Sequence, residues 1–150
     1  MLNRDFREFA TLLNEHGVEY LVVGGYALAA HGHPRYTGDI DFWVSHQADN
    51  IARLLTALQR FGFGSLGLSA TDFDNDTVVQ LGQPPRRIDL LTRIDGVDFN
   101  VCWTRRETIA IDGIDLHLIG LEDFKTNKRA TGRLKDLADL EALGERPPGS

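Results

Sequence analysis

The 150 residues include a single cysteine, Cys102, so no disulfide can close within the chain. Nothing in its cysteine usage calls for an oxidising compartment. Long apolar runs are missing as well. No stretch approaches the roughly 18–20 apolar residues of a membrane span, and no membrane partner is expected. The opening MLNRDFREFA carries alternating charge and no apolar core, so no signal peptide is expected and the cytoplasm is the default location. Excess positive charge is absent: the net charge is −6, which argues against indiscriminate, phosphate-driven binding to nucleic acid. Internal repeats, linkers and low-complexity segments are also lacking. What remains is an ordinary globular composition, 42% hydrophobic and 25% charged. It suits one domain over residues 1–145, with a flexible Pro/Gly tail at 146–150.

Apolar spacing supplies the elements. Residues 4–16 place Phe6, Phe9, Ala10, Leu12 and Leu13 on one helical face, with Gly17 as the stop. Tyr20-Leu21-Val22-Val23 reads as a buried strand ending in Gly24-Gly25, and a short Ala/Leu-rich helix follows to His31. A strand is expected over 39–44, a helix over 51–61, a loop over 62–76 and strands over 77–81 and 87–93. A short helix over 99–106 precedes strands 108–111 and 114–119, which flank Asp112-Gly113, a strong hairpin signal. A helix from 121 to 143, interrupted near Gly132, completes an α/β (α+β) single domain: a mixed β-sheet flanked by helices.

Three acids stand out. In Asp39-Ile40-Asp41-Phe42-Trp43-Val44, side chains two apart share a face, with Cα atoms about 6.6 Å apart. Asp39 and Asp41 therefore present two carboxylates together. Like charges about 4 Å apart repel by about 4 kcal/mol at an effective dielectric of 20. A divalent cation relieves that strain, and Mg²⁺ favours one or two carboxylates completed by water and phosphate oxygens. Asp89 lies within Arg87-Ile88-Asp89-Leu90-Leu91, where an isolated buried acid is costly. On a strand next to 39–44 it would reach the same ion cluster. The competing reading of any one of these acids is a turn former or salt-bridge partner.

Gly24-Gly25 lies between strand and helix, where glycine lets the backbone approach a ligand and free N–H groups attract phosphate. Arg35 and Thr37, in the loop before the acid pair, could bind phosphate oxygens, with a turn salt bridge an equal alternative for Arg35. Basic residues concentrate later: Lys125, Lys128, Arg129, Arg133 and Lys135 occur in eleven residues with no acid among them. That run is either a solvated helix face or a seat for a compact anion such as a triphosphate.

The segments Val23-Gly24-Gly25-Tyr26-Ala27-Leu28, Arg35 to Phe42 and Arg87 to Leu91 resemble the nucleotidyltransferase superfamily with the DNA polymerase β-like fold. The likeness is to its small bacterial members: minimal nucleotidyltransferases, AbiEii-type toxins and lincosamide-type antibiotic nucleotidyltransferases. Leu121 to Phe124 and Lys128 to Asp136 share it. The resemblance implies transfer of a nucleoside monophosphate from an NTP, ATP among the candidates, to an acceptor hydroxyl on a protein, a tRNA or a small molecule. It implies two Mg²⁺ ions, with Mn²⁺ able to stand in. Asp39 and Asp41 would carry both, and Asp89 would join the ion nearer the acceptor. Gly24, Gly25, Arg35, Thr37, Lys128, Arg133 and Lys135 would bind the nucleotide. Many members have Gly-Ser where this chain has Gly24-Gly25, so one phosphate contact is missing. A toxin–antitoxin role, alone or with a partner protein, is the expected setting. The other readings are an antibiotic-modifying enzyme and a catalytically silent domain that binds a nucleotide or a partner.

Other signals are rejected. Gly62 to Gly67 spells GxGxxG but follows a helix. Asp72, Asp74 and Asp76 resemble the start of a calcium loop but lack its glycine and its final acid. His31 and His33 have no further metal ligand nearby. Trp43 and Trp103 read as core.

Overall fold

The computed structural model describes residues 2–32, 38–63, 67–74, 76–84 and 86–144. Six strands form one mixed sheet: β1 (Tyr20–Val23), β2 (Ile40–Val44), β3 (Val78–Leu81), β4 (Ile88–Leu91), β5 (Glu107–Ile111) and β6 (Ile114–Leu118). Their spatial order is β3-β4-β2-β1-β6-β5. β2 runs parallel to β4 and antiparallel to β1, while β6 runs parallel to β1.

Strand alternation divides the core between the two faces. Tyr20, Val22, Ile40, Phe42, Val44, Ile88 and Leu90 turn to one side. There they meet Phe6, Phe9 and Leu13 of α1 (Arg4–Glu15) and Ile51, Leu54 and Leu58 of α3 (Ala48–Leu58). Asn3 caps α1 by accepting from the Phe6 N–H. Leu21, Val23 and Trp43 turn to the other side, against α2 (Gly24–Ala30), Phe99 and Cys102 of α4 (Phe99–Thr104), and Phe124 of α5 (Leu121–Thr131). Asp41 and Asp89 share this second face, because each alternates with residues of the first.

The hairpin expectation holds. Asp112 and Gly113 both have positive φ, 52° and 82°, and join β5 to β6 in the manner of a type I′ turn. The expected break at Gly132 is a left-handed cap with φ 65°, dividing α5 from α6 (Leu134–Ala142).

Two expectations need correction. α4 stops at Thr104, and Arg106 instead lies 3.9 Å over the Trp103 ring. The expected loop over 62–76 contains local structure. A π-helical turn (Gln59–Phe63) extends α3 to Gly62, whose φ is 100°, and a 3-10 turn spans Ala70–Phe73. Ser69 and Asp72 cap that second turn reciprocally, and it buries Phe73. Asp72 is thus a capping acid, and Asp76 pairs with Arg93 at 3.7 Å. His31 fastens α2 to the sheet, one ring nitrogen 2.8 Å from the Ile119 carbonyl and the other 3.3 Å from Glu107. His33 lies outside the described residues. Trp43 is core, whereas Trp103 is only half-buried, stacked on Phe99. Among the described residues no helix is long and apolar enough to cross a membrane.

Candidate active site

The register of the central strands sets the site. Asp41 on β2 pairs with Val23 on one side and with Asp89 of β4 on the other. The last residue of β1 therefore delivers the glycine turn beside Asp41, and β4 brings Asp89 alongside it. Asp39 directly precedes β2 and continues the alternation that Asp41 begins.

Gly24 is required twice over. Its φ of +69° is a left-handed conformation that L side chains rarely adopt, and a Cβ there would lie 2.4 Å from Asp41 Oδ2. The turn and the carboxylate thus pack closer than any side chain permits. Gly24→Ala should cost about 1–2 kcal/mol from the backbone alone, plus displacement of the Asp41 carboxylate. Thermal denaturation measures the first effect, and weaker divalent-ion binding would report the second. No side chain caps α2, although its seven residues make a short dipole. The turn's main contribution is close backbone approach.

Asp41 is electrostatically strained. Burial, followed by the charge and hydrogen bonding of Asp89, pushes the Asp41 carboxyl up to about 6, with Lys135 pulling partly the other way. One cation already serves the other two acids. Arg87 Nε and Nη2 donate to Asp89 Oδ1 and Oδ2 at 2.8 and 3.1 Å, and Nη2 also lies 3.1 Å from Asp39 Oδ2. Among the described residues no three His, Cys, Asp or Glu side chains stand gathered as a ready metal cluster. The donor set nevertheless suits a hard divalent ion: it is all oxygen, its three acids carry more negative charge than Arg87 alone offsets, and a glycine lets the backbone come close to Asp41.

A cleft of about 330 Å³ opens here. Gly24 and Asp41 line it together with Arg93, Asp95, Asn127, Lys128, Thr131 and Arg133. Asn127 Nδ2 donates to the Asp95 carbonyl at 2.9 Å, and a Cβ on Gly96 would lie 2.5 Å from that of Ala130. The loop after β4 is thus held tightly to α5.

The basic run divides on inspection. Lys128 is not on a solvated face. It is buried, 3.1 Å from Asp136 and 3.6 Å from Asp139 of α6. Arg133, mostly exposed, donates to Asp136 at 2.7 Å. Lys125 pairs with Glu122 at 3.3 Å. Lys135 is exposed, and its charge reaches Asp41. Gly24, Asp41, Lys128 and Arg133 therefore share one cleft, Asp89 adjoins Asp41, and Gly25 lies in the first turn of α2. Arg35 and Thr37 lie outside the described residues. Sequence reasoning missed Arg87, Arg93, Asn127 and Thr131. Only for Arg87 was a signal available: a cation two residues before a buried acid on the same strand face.

A mixed sheet that sets a glycine turn beside acids on two adjacent parallel strands is a nucleotidyltransferase-like fold. The chain belongs to the family described as nucleotidyl transferase of unknown function (DUF2204), whose model matches residues 2–147. No curated protein matches it in sequence. Among solved structures it is similar to a candidate nucleotidyltransferase from Thermotoga maritima, with TM-score 0.58 and 16% identity over 96% of this chain and 93% of that one. It is also similar to an antigenic nucleotidyltransferase-like protein from Paracoccidioides brasiliensis, with TM-score 0.56 and 17% identity over 93% and 72% of the two chains. At such identities the likeness speaks for the fold alone.

Proposed function

We propose that this chain is a divalent-metal-dependent nucleotidyltransferase that moves a nucleoside monophosphate from an NTP to an acceptor hydroxyl. The observation that carries the reading is the placement of Asp41, wedged against the Gly24 turn and paired in register with Asp89. Asp39 and Asp41 would hold Mg²⁺, or Mn²⁺ in its place, and Asp89 would complete the acceptor side. Bound divalent ions supply a lowered hydroxyl pKa and neutralise the leaving phosphates. The chain's own residues do the positioning. The Gly24 turn admits the phosphates, while Arg133 and Lys135 offer positive charge at the cleft mouth. Lys128, in the cleft lining, would add positive charge that Asp136 and Asp139 partly offset. In the reaction the acceptor hydroxyl gives up its proton to solvent, its oxygen bonds to the α-phosphorus, and the bond from that phosphorus to the leaving pyrophosphate breaks.

The acceptor is a protein, a tRNA or a small molecule, and the setting we favour is an accessory role of the toxin–antitoxin kind inside the cell. Incubation with each of four α-labelled NTPs, Mg²⁺ and cell extract tests the reading. Label should pass to an acceptor with at least one nucleotide and be lost on adding EDTA. No transfer from any nucleotide would favour a silent nucleotide- or partner-binding domain, in which Arg87 serves as the lasting counter-ion of Asp39 and Asp89.

A further inference from the structure

The Arg87 guanidinium occupies the ground where the site's cation belongs. It holds both oxygens of Asp89 and one of Asp39, leaving Asp41 as the acid it does not hydrogen-bond. Resting on the reading above, we propose that Arg87 is a resident counter-cation that sets the order of filling: it yields the carboxylates only when a divalent ion arrives with phosphates to receive the guanidinium.

Three observations support this. First, the guanidinium already offsets the negative charge that would draw a divalent ion to Asp89 and Asp39, and a guanidinium close to such an ion is repelled by it. Second, the backbone under Arg87 is fixed while its side chain is held by the carboxylates and is partly open to water. The Arg87 carbonyl accepts from the Ile40 N–H at 3.1 Å, joining β4 to β2, while the side chain is 27% exposed and so reaches solvent along part of its length. Third, the planar fork that grips Asp89 matches a phosphate equally well. A free divalent ion offers Arg87 no new partner; a metal–triphosphate does. The free protein should therefore bind bare metal weakly.

Titration of the nucleotide-free protein with Mn²⁺, followed by electron paramagnetic resonance, tests this without any enzymatic readout. Arg87→Gln should tighten Mn²⁺ binding at least tenfold. Arg87→Lys, which keeps the charge but loses the fork, should give a smaller gain and serves if the glutamine variant folds poorly. Adding Asp41→Asn should abolish the binding in either background. Mn²⁺ affinity unchanged or weakened in both arginine variants, with the ion still dependent on Asp41, overturns the role of Arg87 and leaves the metal site standing. Binding that survives Asp41→Asn, or no binding in any variant, removes the metal site and this inference with it.

Discussion

Asp41→Asn should abolish nucleotidyl transfer while making the protein more stable. The two effects share one cause. Burial and the neighbouring Asp89 lift the Asp41 carboxyl to about 6 from an ordinary 3.8. The folded protein therefore holds that proton more tightly than the unfolded chain does, and the stability this confers is complete below about pH 4 and lost as pH rises through 6. At pH 7 the ionised group is a liability, on the order of 2–3 kcal/mol at about 1.4 kcal/mol per pH unit. An amide of the same shape removes it. The variant should melt at a higher temperature at pH 7 in metal-free buffer and show a flatter stability profile between pH 4 and 6. The same group is the one proposed to hold the metal, so transfer should fall at least about a hundredfold. Divalent-ion binding by the parent should strengthen as pH rises from 5 to 7. A variant that is less stable and still active would oppose both halves.

Asp136→Ala should carry the largest stability loss. Asp136 is fully buried at the α5–α6 junction and receives Lys128, Thr131 and Arg133. Burial alone would raise its pKa, but hydrogen bonds from Arg133, Thr131 and Lys128 outweigh it and hold the group well below the usual carboxylate range. Its contribution is therefore present at neutral pH and is lost only as pH falls below about 4. Removing the acid leaves Lys128 buried with one acidic partner fewer and releases Arg133 from the cleft edge. Breaking such a buried pair costs about 3–5 kcal/mol, a large part of the 5–15 kcal/mol that keeps a domain folded. Chemical denaturation should show it, and a loss below about 1 kcal/mol would mean that α6 is held by other contacts.

The parts of the site carried on strands were legible because strands have a period of two. Asp39-Ile40-Asp41 announced a shared face, and an acid inside Ile88-Asp89-Leu90-Leu91 implied a buried charge needing a partner; the register then pairs Asp41 with Asp89. Gly24-Gly25 after an apolar run likewise marked the turn. What escaped were contacts that cross a chain reversal. Lys128 and Asp136 are eight residues apart, no helical repeat places them together, and only the Gly132 turn folds α6 back to join them. For the same reason a run of cations with no acid inside it suggested a solvated face or an anion seat, when its central lysine is neutralised from the next helix. Arg87 escaped although its spacing from Asp89 was a signal, because a cation at a strand end is also what a solvated terminus carries. The turns within 59–73 are too short for periodicity to reveal, although Ser69 and Asp72 have capping-box spacing.

Crystals grown with Mn²⁺ and a non-hydrolysable NTP analogue would test the central claim most directly, through anomalous scattering. The account expects manganese on the Asp41 carboxylate, shared with Asp39 and Asp89, and phosphates against the Gly24 backbone. Manganese bound elsewhere, or phosphates seated away from that turn, would contradict it.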